Sequence, residues 1–513
     1  MSDKTNLLTN LKVMVQNTDK SKEIKSIYSQ IEKLIEESEE FGKDELIVSD
    51  LEQNILKGLL NVGLSLLKLG ISTRATEIAR QDSPTVKSAI TNKGVTTRKY
   101  QSIFGELEVA RRKYQIGGKG VYYPLDESLN LPQTKLSYVL QNWVVGSSAD
   151  LDFRESVSSV NDILGLNLNG TQSKTDANRL GEQVDNFYEQ TALPTVSEGQ
   201  YVCLEWDGKG VPIIKEEREE SAEALPATSV VGRLQRGQKR GVKKTATVSV
   251  SSIFTPKQRE KESIIRGLFR TPLTPLKEED TLQVVHKKQQ RWHQEIHRRA
   301  FLGPQENAID YGVQRAKQLN GAHQLPYVVL LDGGVGLEPA VKAAFDKAGL
   351  SESLKYIILD IVHVSEYVWK AGNAILGEKS KFRTNWVKGI LSDILDGKIS
   401  QVIEELKQNR DKTTLSESAQ KLLDKTITYF TNHQHKMDYK TYLEQGLPVS
   451  TTLVESSCGH LVKDRMERSG MRWSLSGAQN MMDIRAVKKN GDWPMFMEFI
   501  LNQNQQRHKQ KRA

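Results

Sequence analysis

Hydrophobic residues near the amino terminus recur at intervals of three to four positions. Ile24, Tyr28, Ile31 and Ile35 follow this spacing and predict a first helix. The segment 50–70 predicts a second helix, which ends at a glycine. We expect a helical hairpin here, and an alternative is that these helices contact a partner helix.

Residues 93–123 have a different pattern, rich in β-branched and aromatic residues and punctuated by glycine. This pattern predicts a small sheet. Two helical segments follow, at about 150–164 and 171–190, on either side of the sequence GLNLNG. They have the outline of a helix-turn-helix, which places its second helix in the DNA major groove, although ordinary helical hairpins share this outline.

Apolar runs then predict the strands of a larger sheet, at 200–213, 245–254, 325–336 and 354–364. Between the second and third of these we predict a helical stretch over 257–321, with a proline break near 272–275. Strands that alternate with helices indicate an α/β domain.

Helical spacing returns from 364 to 445, which predicts a helical insertion within the α/β domain. The final residues are polar and basic, and we expect them to be disordered. The predicted regions are an N-terminal helical region (1–90), a small sheet with the helix-turn-helix-like segment (91–195) and the first part of the core (196–363). They are followed by the helical insertion (364–447), the C-terminal core helices (448–500) and a basic tail (501–513).

Composition places the chain among soluble intracellular proteins. Charged residues make up 27% and hydrophobic residues 37%, and the two cysteines cannot build a disulfide framework. The amino terminus has no apolar core of signal-peptide length, and no apolar run approaches a membrane span of about 20 residues. We expect a cytoplasmic, nucleoid-associated protein that does not bind membranes.

Positive charge is concentrated in parts of the chain, and the formal net charge is +8. Residues 224–259 contain eight basic residues and no acidic ones. Such clusters attract polyphosphates, although a solubilising surface has the same composition. The candidate DNA contacts in this region are Arg233, Arg236, Lys239, Arg240, Lys243 and Lys244.

Three acidic residues occupy positions where a charge is costly. Asp207 and Asp332 each end an apolar strand, and Glu455 lies at a predicted helix start among small residues. Converging carboxylates are ligands for Mg²⁺ or Mn²⁺, and two such ions support in-line phosphoryl transfer. Strand-end aspartates are also common turn formers, so the pattern by itself leaves both interpretations open.

Asp360 and His363 are separated by two residues at the end of the last predicted strand. There His363 can contact a phosphate or orient a ligand. The alternative is a partly buried histidine whose ring nitrogen bonds a backbone carbonyl.

At these residues the chain resembles the ISKra-type insertion-sequence transposases, members of the Mutator-like DDE group. The resemblance rests on segments 111–131, 207–213, 330–334 and above all 453–493. It covers about residues 95–508, and the first ninety residues are less similar. The segment YQIGG lacks the cysteine pair found in many members, and VSTTLV stands where a Gly-Ser-Gly-type turn commonly precedes the glutamate.

The resemblance implies a ribonuclease-H-like core with Asp207, Asp332 and Glu455 as the first, second and third catalytic carboxylates, which bind two Mg²⁺ or Mn²⁺ ions. Asp360 and His363 match an Asp-x-x-His motif in which the histidine helps to organise the catalytic site. The implied reaction is cleavage at the transposon's terminal inverted repeats, followed by attack of the 3′-hydroxyl on target DNA. It also implies a homodimer or a larger assembly.

A helix that begins at Glu455 would place further cations near phosphates. The residues expected to contact DNA there are Lys463, Arg465, Arg468, Arg472 and Trp473. Trp473 is interpreted either as a base-stacking residue or, more simply, as part of the core. Two other functions remain open: a ribonuclease-H-like nuclease without strand transfer, and an inactive, transposase-derived DNA-binding protein.

Overall fold

A computed structural model describes residues 20–40, 47–81, 90–116, 120–214, 243–270, 292–321, 325–334, 336–412 and 415–512. The chain divides into two units. Unit 1 comprises Met1–Glu189 together with Gly491–Ala513, and unit 2 comprises Gln190–Asn490.

Strands β1 to β8 span Ile90–Ser102, Gly105–Ile116, Gly120–Tyr122, Tyr201–Pro212, Lys243–Phe254, His293–Leu302, Tyr327–Leu331 and Leu354–Leu359. Helices α1 to α10 span Lys20–Glu40, Val48–Gln81, Pro124–Ser128, Tyr138–Ser148, Phe153–Leu164, Gly170–Gly181, Val184–Gln190, Lys261–Leu268, Gln305–Asn320 and Leu337–Ala348. Helices α11 to α19 span Ile361–Leu376, Arg383–Leu395, Ile399–Arg410, Glu417–His433, Tyr439–Glu444, Thr452–Ser457, Asp464–Met466, Leu475–Asn490 and Trp493–Arg512. A π-helical turn, Cys458–Lys463, joins α16 to α17.

Unit 1 contains an antiparallel sheet in the order β1-β2-β3, so the predicted small sheet is confirmed. The two predicted N-terminal helices are also present as α1 and α2. The predicted end of the second helix at Gly70 is wrong, because α2 continues to Gln81 and packs Ile71, Ala75 and Ile78 against the sheet. Helix α2 packs Leu64 and Ile71 against Leu107 and Val109 of β2, which gives this sheet a hydrophobic layer on one face.

Helix α2 differs from one expectation. Over Val48–Ala79 it is long and apolar enough to cross a membrane by length and composition, with 11% of its most apolar window buried. The expectation that no apolar run approaches the length of a membrane span is therefore wrong for this segment. The side chains of Leu64 and Ile71 are partly buried against the sheet of unit 1.

The first helix of the helix-turn-helix-like segment is present as α5, and the second, predicted over 171–190, is divided into α6 and α7. Asp152 and Glu155 form a capping box at the start of α5, and Gly165 ends it in the left-handed conformation at φ 64°. Their contact with DNA remains a prediction.

The basic tail is not disordered over residues 501–512, because these residues continue helix α19. The side chains of Asn504 and His508 are buried, and both bond the backbone oxygen of Leu131, at 2.9 and 3.2 Å. Buried polar anchors of this kind fix a helix that composition alone marks as solvated. The tail therefore belongs to unit 1.

Unit 2 is built on a five-stranded sheet in the order β6-β5-β4-β7-β8. β4, β5 and β6 are antiparallel neighbours, whereas β7 and β8 run parallel to β4. Side chains of β4 alternate between the faces, so that Leu204 and Trp206 point to one hydrophobic layer and Cys203 to the other.

Helices cover both faces of this sheet. Helices α9 and α10 pack on the face that holds Trp206, whose indole nitrogen donates to the Ala308 oxygen at 3.1 Å. Helices α11 to α15 pack on the opposite face. The predicted helical block at 364–445 is thus confirmed as helical.

The prediction of a helical stretch over 257–321, with a proline break near 272–275, is wrong for β6. This strand is the edge strand of the sheet, and its apolar residues do not alternate regularly. The pairing of β6 with β5 contains an irregularity beside Ser252, and Glu295 adopts φ 47°. Pairing with β5 fixes the conformation of β6, and the spacing of apolar residues along β6 does not indicate this pairing.

Candidate metal-binding site

Three aspartates form a row across adjacent strands, which we call the aspartate row: Asp332 directly follows β7, Asp360 directly follows β8, and Asp207 lies within β4, just beyond its parallel pairing with β7. The expectation that Asp207 ends its strand is wrong, because β4 continues to Pro212 through its pairing with β5. The parallel register of β4 and β7 pairs Glu205 with Leu330, which precede Asp207 and Asp332 by two positions each. The register of β7 and β8 pairs Leu331 with Leu359, which directly precede Asp332 and Asp360. Neighbouring strands lie about 4.8 Å apart, so the three backbones are close together.

Asp360 is fully buried and caps helix α11. One carboxylate oxygen accepts the Val362 backbone N–H at 3.0 Å, and the other accepts the Thr451 hydroxyl at 2.8 Å. Burial raises the pKa of Asp360, and these two hydrogen bonds oppose that rise. The strand predicted over 354–364 ends before this residue, since the cap starts the helix at Ile361.

Glu455 lies in the first turn of α16, just after the segment that Thr451 ties to Asp360. Ligand atoms of Asp360, His363 and Glu455 all lie within 4.8 Å of one another. The His363 Nε2 atom is 3.9 Å from Asp360. Burial, followed by the charge of Asp360, raises the pKa of Glu455, and the Asp207 charge adds to this rise.

Asp207 and Asp332 are half-buried and line a common cleft. In each, one carboxylate oxygen accepts a nearby backbone N–H: that of Gly208 within β4 at 2.6 Å, and that of Gly334 in the turn after β7 at 2.8 Å. Neither belongs to the Asp360–His363–Glu455 cluster. The structure therefore brings Glu455 and His363 together as expected, but around Asp360, with the other two aspartates beside them.

The turn after Asp332 is held by the helical insertion. The Tyr429 hydroxyl of α14 donates to the Asp332 backbone oxygen at 3.0 Å, and its ring stacks on Tyr367 at 3.8 Å. Gly333 adopts φ 82°, and a Cβ there would lie 2.6 Å from the Tyr429 hydroxyl. Only glycine fits this position, so the insertion helps to define where Asp332 stands.

Glu205 is a fifth acid at this site, and it was not among the residues singled out from the sequence. It is 1% exposed, and its carboxyl accepts the Val454 backbone N–H of α16 at 2.9 Å. Burial, opposed by this hydrogen bond, raises the pKa of Glu205 to about 8. Because Glu205 precedes Asp207 by two positions on β4, both face the same side of the sheet. An acid inside the apolar run of β4 was the signal that could have revealed it.

The two cysteines are free and buried, as expected for a chain without a disulfide framework. Cys458 begins the π-helical turn that follows Glu455, and its thiol lies 3.9 Å from the Asp207 backbone oxygen. The small Cys458 side chain thus allows α16 to pack close to β4. π-Helical turns often occur at functional sites.

The predicted DNA contacts have mixed positions. Those at Arg233, Arg236, Lys239 and Arg240 lie outside the described residues. Lys243 and Lys244 begin β5, where Lys243 is exposed and pairs with Glu467.

In the C-terminal segment, Lys463, Arg468 and Arg472 are exposed. The expected DNA contact of Arg465 is wrong, because its side chain is fully buried, with the guanidinium 4.9 Å from the Trp473 ring. Trp473 is 6% exposed and donates to the Met466 oxygen, which agrees with the alternative interpretation as a core residue.

The side chains at this site fit a hard divalent cation. The aspartate row and Glu455 offer carboxylate oxygens, the ligands that Mg²⁺ prefers, and His363 adds one imidazole. Asp207 uses one carboxylate oxygen for its bond to the Gly208 N–H, and Asp332 uses one for its bond to the Gly334 N–H. The second oxygen of each carboxylate can therefore bind an ion. A cation would also offset the repulsion that raises the pKa of Glu455.

The chain matches no protein-family model, and it matches no curated protein.

Proposed function

We propose that this protein is a DDE-type DNA transposase with a ribonuclease-H-like core, in which Asp207, Asp332 and Glu455 bind two Mg²⁺ or Mn²⁺ ions. The observation that carries the proposal is the aspartate row across β4, β7 and β8 with Glu455 and His363 beside it. Strand-end turn formers scattered over the surface would not converge in this way.

The sheet of unit 2 supports the proposed core. Its three antiparallel strands are followed by two strands parallel to the first, and helices cover both faces. Asp332 and Asp360 lie at the carboxyl ends of β7 and β8, and Asp207 lies just beyond the part of β4 that pairs with β7, at the end of the sheet where α/β proteins commonly bind ligands. The helical insertion lies between β8 and the helix that carries Glu455.

In the proposed reaction, the carboxylates hold the ions and the cleft beside Asp207 and Asp332 admits the scissile phosphate. The bound ions would activate the attacking hydroxyl and stabilise the charge that develops on the phosphate. Asp360 holds the start of α11 and thereby orients His363 toward Glu455. Water releases a 3′-hydroxyl at the transposon end, and this hydroxyl attacks target DNA.

The test is cleavage of labelled DNA that carries the sequences flanking the gene, in Mg²⁺. Asp332→Asn should abolish cleavage, because it removes a charged ligand and keeps the size of the side chain. Asp346→Asn is the matched control, since Asp346 is exposed on α10. Equal cleavage by the wild type and Asp332→Asn would contradict the assignment of Asp332.

Asp360→Asn separates two arrangements of the same site. If Asp332→Asn cleaves normally and Asp360→Asn does not, the ion is held by the Asp360–His363–Glu455 cluster. Loss of cleavage in Asp332→Asn with partial activity in Asp360→Asn supports Asp207, Asp332 and Glu455 as the ligands, with Asp360 as a positioning residue.

Strand transfer distinguishes the transposase from a simple nuclease with the same site. A pre-cleaved end with a free 3′-hydroxyl should be joined to a plasmid target by the wild type. We propose that two ends are joined by a homodimer or larger assembly in the bacterial cytoplasm. A wild-type protein that binds DNA and neither cuts nor joins it would favour an inactive transposase-derived DNA-binding protein.

A further inference from the structure

The carboxyl end of α19 lies against the sheet of unit 1 and forms one wall of a basic groove. The groove has a volume of about 580 Å³. Six cations line it: Arg98, Lys99, Arg111, Lys135, Arg507 and Lys511. Asp126 is the only carboxylate among the described residues that line it.

The walls of the basic groove are held in place by buried hydrogen bonds. Asn504 and His508 fix α19 to the Leu131 carbonyl. Arg98 donates to the backbone oxygens of Pro132 and Thr134, at 2.9 and 2.6 Å. The groove is therefore formed before any ligand arrives, which reduces the entropy cost of binding.

The charge in the basic groove is only partly neutralised. Asp126 pairs with both Arg98 and Arg111, and Lys99 pairs with Glu106 on the exposed side of the sheet. Within the described part of the chain, the Nε atoms of Arg111 and Arg507 have no hydrogen-bond partner, and neither does one carboxylate oxygen of Asp126. Six cations against one carboxylate leave an excess of positive charge in a concave surface, which favours an anionic ligand.

The spacing of the cations fits a chain of phosphates better than a single one. Arg507 and Lys511 are four residues apart on α19, which is about 6 Å along the helix axis. Lys135 lies on a different segment, after the strand region, and is also exposed. Phosphates follow one another at about 3.4 Å of rise per strand, so neighbouring cations can meet successive phosphates.

We propose that the basic groove binds the phosphodiester backbone of DNA, without reading its sequence. This proposal rests on the proposed function for the choice of DNA as the polyanion, and it names a binding surface that is separate from the carboxylates of unit 2. Arginine guanidinium groups bind phosphate oxygens through paired donors, and backbone contacts set the position of DNA on a protein.

The test measures binding of a fluorescein-labelled 30-base-pair duplex of arbitrary sequence to the full chain, by anisotropy in EDTA. The variant Lys135→Glu/Lys511→Glu reverses two exposed charges of the groove. The control Lys25→Glu/Lys68→Glu makes the same change in net charge on exposed positions of α1 and α2. EDTA removes any contribution of divalent ions.

The groove variant should bind at least about 10-fold more weakly than the control, and its slope of log K against log salt should fall by about 2, one phosphate contact for each lysine. Equal losses in the two variants would overturn the proposal, as would a wild-type chain that does not bind the duplex. Cleavage of a duplex by the wild type and by the groove variant at saturating protein tests the proposed function separately. Retained cleavage with unchanged binding would overturn the groove alone.

Discussion

Replacing Thr451 by valine removes one hydroxyl group and keeps the shape of the side chain. Thr451 is 2% exposed, and its hydroxyl donates to the fully buried Asp360 carboxylate at 2.8 Å. In the variant, that carboxylate oxygen loses its hydroxyl donor and has no access to water. Asp360 retains the Val362 N–H on its other oxygen.

A hydrogen bond to a charged group contributes about 1.5–3 kcal/mol. The backbone N–H of Thr451 also favours the Asp360 carboxylate, so part of the stabilisation remains. We therefore expect Thr451→Val to lower the free energy of unfolding by about 2 kcal/mol, which is about a 30-fold change in the unfolding equilibrium. The loss should shrink at acidic pH, because a protonated Asp360 needs the donor less.

The assay is urea unfolding followed by tryptophan fluorescence, since Trp206, Trp369 and Trp473 all lie in unit 2. The midpoint should fall while the slope stays constant. Thr452→Val is the matched control, because Thr452 is the next residue and is exposed. A loss in Thr451→Val no greater than that in Thr452→Val would refute the role assigned to the Thr451–Asp360 bond.

Three further predictions concern glycine geometry, pH and the buried Glu205. Gly333→Ala should destabilise the protein more than Gly336→Ala and should also impair cleavage. Both glycines adopt φ 82°, but only a Cβ at position 333 would meet another atom, at 2.6 Å. Equal urea midpoints for the two variants would show that the turn adapts. Burial lowers the pKa of His293 to about 4. Between pH 4 and about pH 6.5 the folded state therefore binds fewer protons than the unfolded state. The free energy of unfolding should fall by at most about 3 kcal/mol as the pH drops through this window. Urea midpoints of His293→Gln should lack this dependence, and a parallel decline in both proteins would assign it to other groups. Glu205→Ala should slow cleavage by about 10²-fold, because α16 is displaced. Glu205→Gln retains an acceptor for the α16 backbone, so its cleavage rate should stay within about 3-fold of that of the wild type. Similar losses in both variants would show that a carboxyl group itself is required.

The sequence predicts much of unit 2 because its strands are short apolar runs bounded by acids and glycines. Asp207 and Asp332 stand out, since each follows a run in which a charge is costly. The helical insertion is equally visible, because its apolar residues keep a regular spacing over several turns. The buried position of Trp473 agrees with the simpler of the two interpretations that its sequence context allows.

Other features depend on contacts between residues far apart in the chain, and no local pattern reports them. β6 forms because β5 offers a free edge, although its own residues do not alternate. The basic tail becomes helical because Asn504 and His508 find the Leu131 carbonyl, more than 370 positions away. The basic groove exists only because of that packing.

The sequence by itself determined that Asp332 follows a strand and that residues 364–445 are helical, because burial of apolar side chains imposes a period on each element. The tertiary structure alone decided that Asp360, with His363, meets Glu455 and that Glu205 holds the helix that carries Glu455. These contacts join β4, β8 and α16, which are separated by a long helical insertion. Strand register and packing set them, and both depend on the whole folded unit.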